Sequence, residues 1–108
     1  MLEIAVKAAD SKRAEDIIAL EVKEISLLAD YFLICSANTD RQISAIVDAI
    51  IEEEQKAKVQ IRRVEGKDGG KWILIDLGDV IVHVFSTSER AFYNLEKLWS
   101  DAFARARD

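Results

Sequence analysis

Proline is absent from this chain, glycine occurs four times, and cysteine and histidine occur once each. A single cysteine, Cys35, leaves no intramolecular disulfide to form, which fits a reducing cytoplasm. With few Gly, no Pro and half its residues hydrophobic, the composition is not that of a disordered chain. There is no apolar run of the roughly twenty residues that a membrane helix needs, and no leader pattern. A soluble, cytoplasmic protein is expected. Positive charge is also short: 15 Lys and Arg stand against 20 Asp and Glu, a net charge of −5. That balance argues against broad binding of a phosphate backbone. It favours a basic protein partner, drawn in by complementary charge.

What is present is enough for one domain over residues 1–108, with a core that needs no metal or disulfide. Leu2, Ala5, Val6 and Ala9 recur at helical spacing, and Asp10-Ser11 ends that helix. Asp16 to Val22 reads as a strand. Tyr31 to Cys35 is a continuous apolar run, as in a central strand buried on both faces. Thr39-x-x-Gln42 has the spacing of a capping box, and Ile43, Ile46, Val47, Ile50 and Ile51 form the stripe of the helix that follows. Glu52, Glu53 and Glu54 read as like charges at its far end, partly offset by Lys56. Lys58 to Glu65 reads as an irregular strand and Gly66 to Gly70 as a turn. Ser86-x-x-Glu89 is a second capping box, opening a helix through Phe92, Leu95, Leu98 and Trp99, extending to Phe103. The order α-β-β-α-β-β-β-α gives an α/β (α+β) fold, a mixed sheet of about five strands with helices packed on it.

The stretch Trp72 to Phe85 carries a hairpin, with strands at 71–76 and 79–85 and Leu77-Gly78 at the turn. That loop pairs Asp76 with Asp79, Leu74 with Ile81 and Trp72 with His83. Alternation puts Ile73, Ile75, Val80, Val82 and Val84 on one aliphatic face. Trp72, Leu74, Asp76, Asp79, Ile81, His83 and Phe85 fall on the other. If the helices cover the aliphatic face, the second face is open to solvent or to a partner, and aromatic anchors rimmed by charge are what protein interfaces use. Asp76 and Asp79, facing each other, would receive a partner's cations; solvated turn residues are the plainer alternative. Two carboxylates and one histidine are too few for a metal site, and no cofactor is expected. His83 has no nucleophile motif beside it. It is expected to pack beside Trp72 and donate a hydrogen bond.

Other features read more plainly. The Ser36–Gln42 segment lies at a helix N-terminus, a position suited to anions, but lacks the glycines of a phosphate loop, so helix capping is favoured. Cys35 is expected to be a buried, inert thiol. Lys56, Lys58, Arg62, Arg63, Arg105 and Arg107 are local basic spots. Arg90, Tyr93 and Glu96 either frame the binding face or are solvated.

Three blocks together resemble one known family: Asp30 to Gln42 (DYFLICSANTDRQ), Trp72 to Phe85 (WILIDLGDVIVHVF) and Arg90 to Trp99 (RAFYNLEKLW). It is the ribosomal silencing factor family, RsfS or Iojap-like, and the likeness runs from Leu2 to about Asp101. Trp72, His83, Tyr93 and Trp99 sit at matching spacing. Ala37 and Leu77 depart from the Gly and Tyr usual in the family. The resemblance implies a nucleotidyltransferase-like topology without that activity, since the Gly-Ser and paired carboxylates two residues apart are missing. It further implies binding to the large ribosomal subunit through its ribosomal protein number fourteen. Joining with the small subunit is then blocked and translation falls when nutrients are scarce. A homodimer when free also follows from it, and the local patch of Lys56, Lys58, Arg62 and Arg63 would allow a peripheral contact with ribosomal RNA. The residues expected to meet the partner are Trp72, Leu74, Asp76, Asp79, Ile81, His83, Arg90 and Tyr93. The alternatives are a divergent nucleotidyltransferase-type enzyme, or an RNA-binding module in ribosome assembly using Lys56, Lys58, Arg62 and Arg63.

Overall fold

The computed structural model describes residues 1–24, 27, 29–67, 69 and 71–88. The apolar spacing near the N-terminus gives helix α1 (Leu2–Ser11), with Ala5, Ala8 and Ala9 buried. Strand β1 (Glu15–Glu21) pairs antiparallel with β2 (Tyr31–Ala37). Helix α2 (Asp40–Lys56) follows. Three more strands complete the fold: β3 (Arg63–Glu65), β4 (Trp72–Asp76) and β5 (Val80–Ser86). They form a five-stranded sheet in the order β1-β2-β5-β4-β3. Only β2 and β5 run parallel, at its centre. This is the expected mixed sheet with helices on it. The expected last helix, from Glu89 onward, lies outside the described residues.

The helices share one face of the sheet. Alanines keep α1 thin enough to lie close to α2, whose Ile43, Ile46, Val47 and Ile50 are buried with Leu33, Cys35 and Ala37 of β2 and Ile73, Ile75, Val80, Val82 and Val84 of the hairpin. The aliphatic face therefore lies under the helices, as the alternation requires. Cys35 is buried within this layer. Thr39 caps α2, its Oγ1 accepting from the Gln42 N–H at 3.1 Å. The reciprocal half of the expected box is not made. The Gln42 amide instead donates to the Lys12 and Arg13 carbonyls, tying the start of α2 to the end of α1.

Two expectations are corrected. The strand read over 58–65 is only Arg63–Glu65. Lys58 turns to a positive φ of 64° after α2, and Val59 and Ile61 pack on the core without strand pairing. The hairpin turn is Gly78-Asp79 rather than Leu77-Gly78. The Leu77 N–H donates to the Val80 carbonyl at 2.9 Å, and Gly78 takes the left-handed φ of 98°. Trp72 consequently pairs with Phe85, Leu74 with His83 and Asp76 with Ile81. The register is displaced by two residues. Because the side-chain period is also two, every residue keeps its predicted face; a slip of one would have reversed them all.

Gly66 ends β3 with φ 88°, and a Cβ there would lie 2.1 Å from the Trp72 carbonyl oxygen. At Gly78 the nearest atom to a Cβ would be the Arg62 Nε at 3.2 Å, the end of a flexible side chain. Both Gly→Ala variants should cost about 1 kcal/mol for the left-handed backbone, and Gly66→Ala should cost more because backbone must also move there. Denaturant unfolding is expected to show a clearly larger loss for Gly66→Ala than for Gly78→Ala. Equal losses would mean the Trp72 backbone yields freely.

Candidate functional site

On the face away from the helices, the sheet lines up chemically mixed side chains. From β2 come Phe32 and Ile34, in register with Ile81 and His83 of β5. From β4 come Trp72, Leu74 and Asp76, in register with Phe85, His83 and Ile81. The rings form one connected group. Trp72 stacks on Phe85 at 4.9 Å between centroids with 29° between planes, and Phe32 tilts against His83 at 4.8 Å. The Trp72 indole N–H donates to His83 Nδ1 at 3.1 Å. His83 thus lies beside Trp72 as expected, but as the acceptor rather than the donor.

Burial divides the expected contact residues, and corrects the reading of this face as open. Ile81 and His83 are each only 5% exposed and Phe85 is fully buried. Trp72, Leu74 and Asp76 are half-buried, and Asp79 is exposed. Trp72 and Leu74 line a groove with Glu65 and Gly66 at the β3 edge. The accessible part of the site is therefore the β4 side and the hairpin turn. A second small cluster, Val22, Ala29, Phe32 and Ile81 with Leu20 and Leu74 against it, closes the other end of the face. Arg90 and Tyr93 lie outside the described residues.

The two aspartates do not oppose each other. Asp76 Oδ1 accepts from the Gly78 N–H at 2.9 Å, a side-chain-to-backbone bond that closes the turn. Asp79 sits in the turn itself, where its carbonyl accepts from the N–H groups of Asp30 and Tyr31. The turn is thereby fixed to the start of β2, and both carboxylates sit at one end of the sheet.

The α2 N-terminus proves to be occupied by the protein's own polar groups. The Asn38 amide donates to the Glu15 carboxylate at 3.2 Å and accepts from the Thr87 hydroxyl at 2.7 Å. A carboxylate already there disfavours an anion, in line with the capping reading. Among the described residues no group of three or more potential metal ligands lies together, and no helix is long and apolar enough to cross a membrane.

Glu54 is the residue that sequence reasoning missed. It is fully buried, and neither carboxylate oxygen has a hydrogen-bond partner. Burial holds its pKa above the ordinary value, opposed by the α-amino group of Met1. The signal was available: Glu54 follows Ile50 by four residues and so continues the buried stripe of α2. Reading it with Glu52 and Glu53 as one charged end hid that.

Comparison with known proteins now bears on this arrangement. The sequence model of the family described as "Ribosomal silencing factor during starvation" matches residues 1–108. The chain belongs to the ribosomal silencing factor family. It is similar to the ribosomal silencing factor RsfS of Bacillus subtilis, 54% identical over 102 residues that cover 94% of this chain and 86% of the relative. A crystal structure of a protein from Bacillus halodurans is 51% identical, covers 91% of each chain and superposes with a TM-score of 0.82. One from Chromobacterium violaceum is 30% identical, with a TM-score of 0.89 over 92% of this chain and 82% of that one. The chain thus shares its fold, over nine-tenths of its length, with both solved proteins.

The buried titratable groups set how this family member responds to pH. Burial lowers the His83 pKa from 6.5 to about 4. The unfolded chain therefore binds the extra proton first. Stability from this group is complete above pH 6.5 and falls as the pH drops towards 4, by about 3 kcal/mol in all. Glu54 acts in the opposite sense. Its raised pKa makes ionisation costly in the fold, so its contribution weakens as pH rises above 4.5. Glu54→Gln is expected to raise the melting temperature more at pH 8 than at pH 5, because the amide never ionises. Equal gains at both pH values would remove Glu54 from this account.

Proposed function

We propose that this protein silences translation by occupying the large ribosomal subunit at its ribosomal protein number fourteen, where its bulk prevents the small subunit from joining. The observation that carries the reading is the pairing of a half-exposed apolar strip, Trp72 and Leu74, with an acidic turn bearing Asp76 and Asp79 on one side of the sheet. Trp72 supplies the anchor that interface centres favour, and the carboxylates supply a rim for a basic partner. The net charge of −5 supports steering towards such a partner. Ile81 and His83 flank this strip on the neighbouring strand β5. Arg90 and Tyr93 belong to the proposed contact set as residues framing the face.

Steric blocking asks little of the chain beyond volume and an interface of standard size, about 800 Å² on each partner. It needs no catalysis, no metal and no cofactor. The whole of residues 1–108 acts as one domain in this scheme, working in the cytoplasm and pairing with a second copy when off the ribosome. The basic residues Lys56, Lys58, Arg62 and Arg63 give a peripheral contact with ribosomal RNA, although Lys56 is already paired with Glu52 and Glu53. An RNA-binding role in ribosome assembly would instead make them the main contact, with a steep dependence on salt.

Co-sedimentation with separated ribosomal subunits tests the reading. Binding to large subunits, with fewer joined ribosomes as Mg²⁺ is raised, is expected. Binding to neither subunit would sink it. Trp72→Ala should weaken binding by about tenfold or more, as loss of an interface anchor does. Asp79→Lys is the cleaner charge test, because Asp76 also closes the turn. It should slow association without lowering the melting temperature. Unchanged association would move the interface off the hairpin turn.

A further inference from the structure

His83 is a buried polar residue of the Trp72 face. It is only 5% exposed, whereas the indole it holds is half-buried. We infer that His83 is a positioning residue: its Nδ1 fixes the orientation in which the Trp72 indole meets a protein partner, and His83 makes no contact with the partner itself. The inference rests on the Trp72 face being the partner-binding surface.

The geometry sets out the division of labour. Trp72 lies opposite Phe85 in the strand register, and the two rings stack with 29° between planes. Stacking on Phe85 constrains the plane of the indole, but the ring is carried on two rotatable bonds, and one stacked contact leaves part of that rotation unset. A hydrogen bond has direction. His83 sits diagonally from Trp72, opposite Leu74, within reach of a long side chain. Its Nδ1 takes the indole N–H at 3.1 Å and so sets the remaining degree of freedom. The imidazole is itself held, against Phe32 at 4.8 Å and with its plane 12° from that of Phe85.

Packing alone does not account for a histidine here. With Nδ1 accepting, the neutral ring carries its proton on Nε2, and that buried atom has no hydrogen-bond partner. A buried donor left unmet is costly, and a phenylalanine would fill similar space without it. What only the histidine provides is the acceptor for Trp72.

The test compares variants of the full chain by binding to purified large subunits and by the indole N–H resonance of Trp72, identified by its loss in Trp72→Phe. In His83→Phe the resonance should move and exchange faster with solvent, and affinity should fall by about tenfold. In a Trp72→Phe background His83→Phe should cost nothing further, because the bond is already gone. His83→Asn and His83→Leu form a second pair, similar in volume, of which only Asn offers an acceptor; Asn should bind several-fold more tightly. The inference is overturned if His83→Phe alters the resonance but not the affinity, if its effect persists in the Trp72→Phe background, or if Asn and Leu bind alike. If Trp72→Ala itself leaves affinity intact, the reading of the face fails and the inference with it. The resonance then still reports whether the His83 bond orients the indole.

Discussion

The parallel pairing of β2 with β5 is the constraint from which the rest of the fold follows. These strands form the centre of the sheet, and nearly every residue of both is buried. A parallel pair in such a place must be covered on both faces. The helices meet that need on one side with aliphatic and alanine side chains. On the other side Phe32, Ile34, Ile81, His83 and Phe85 are buried as well. Burial therefore fades outward along that face, from β5 to β4, and the half-exposed Trp72 and Leu74 lie where it fades. The position of the candidate site is a result of sheet order rather than of any single motif.

Polar groups placed in so apolar a setting must either be paired or stay neutral. His83 takes the second course and accepts one hydrogen bond. Glu54 is fully buried with no hydrogen bond, and the charge of the Met1 α-amino group partly offsets the cost of that burial. The two groups pull stability in opposite directions as pH changes, so each partly offsets the other.

Much of this was legible in the sequence, for identifiable reasons. The apolar run at Tyr31 and the stripe of α2 are long patterns that tertiary context could not reverse. Face assignment in the hairpin survived a misplaced turn because an error of two residues is invisible to a period of two. What failed was local. The turn chose Gly78-Asp79, where the left-handed glycine comes first, and this separated Asp76 from Asp79. Gln42 had the spacing to complete a capping box, yet its amide went to α1, a partner thirty residues away in sequence that spacing cannot reveal. Burial of the Trp72 face at Ile81 and His83 was not legible either. Alternation says which side a residue points to, not how far from the sheet's centre it stands.

The strands at the two borders of the sheet have a bearing on how the protein behaves in crowded solution. A border strand offers unpaired backbone groups to any passing chain, and a protein with an apolar strip nearby is open to stacking strand on strand. Here β3 is only three residues long, and its outer residues Arg63 and Glu65 carry charge and pair with each other. At the other border β1 breaks register between Glu15 and Ile18, with Asp16 forced to a positive φ of 49°. Neither edge presents a flat template. The sheet can keep a sticky strip on its surface because its margins are too short, too bent and too charged to recruit a further strand.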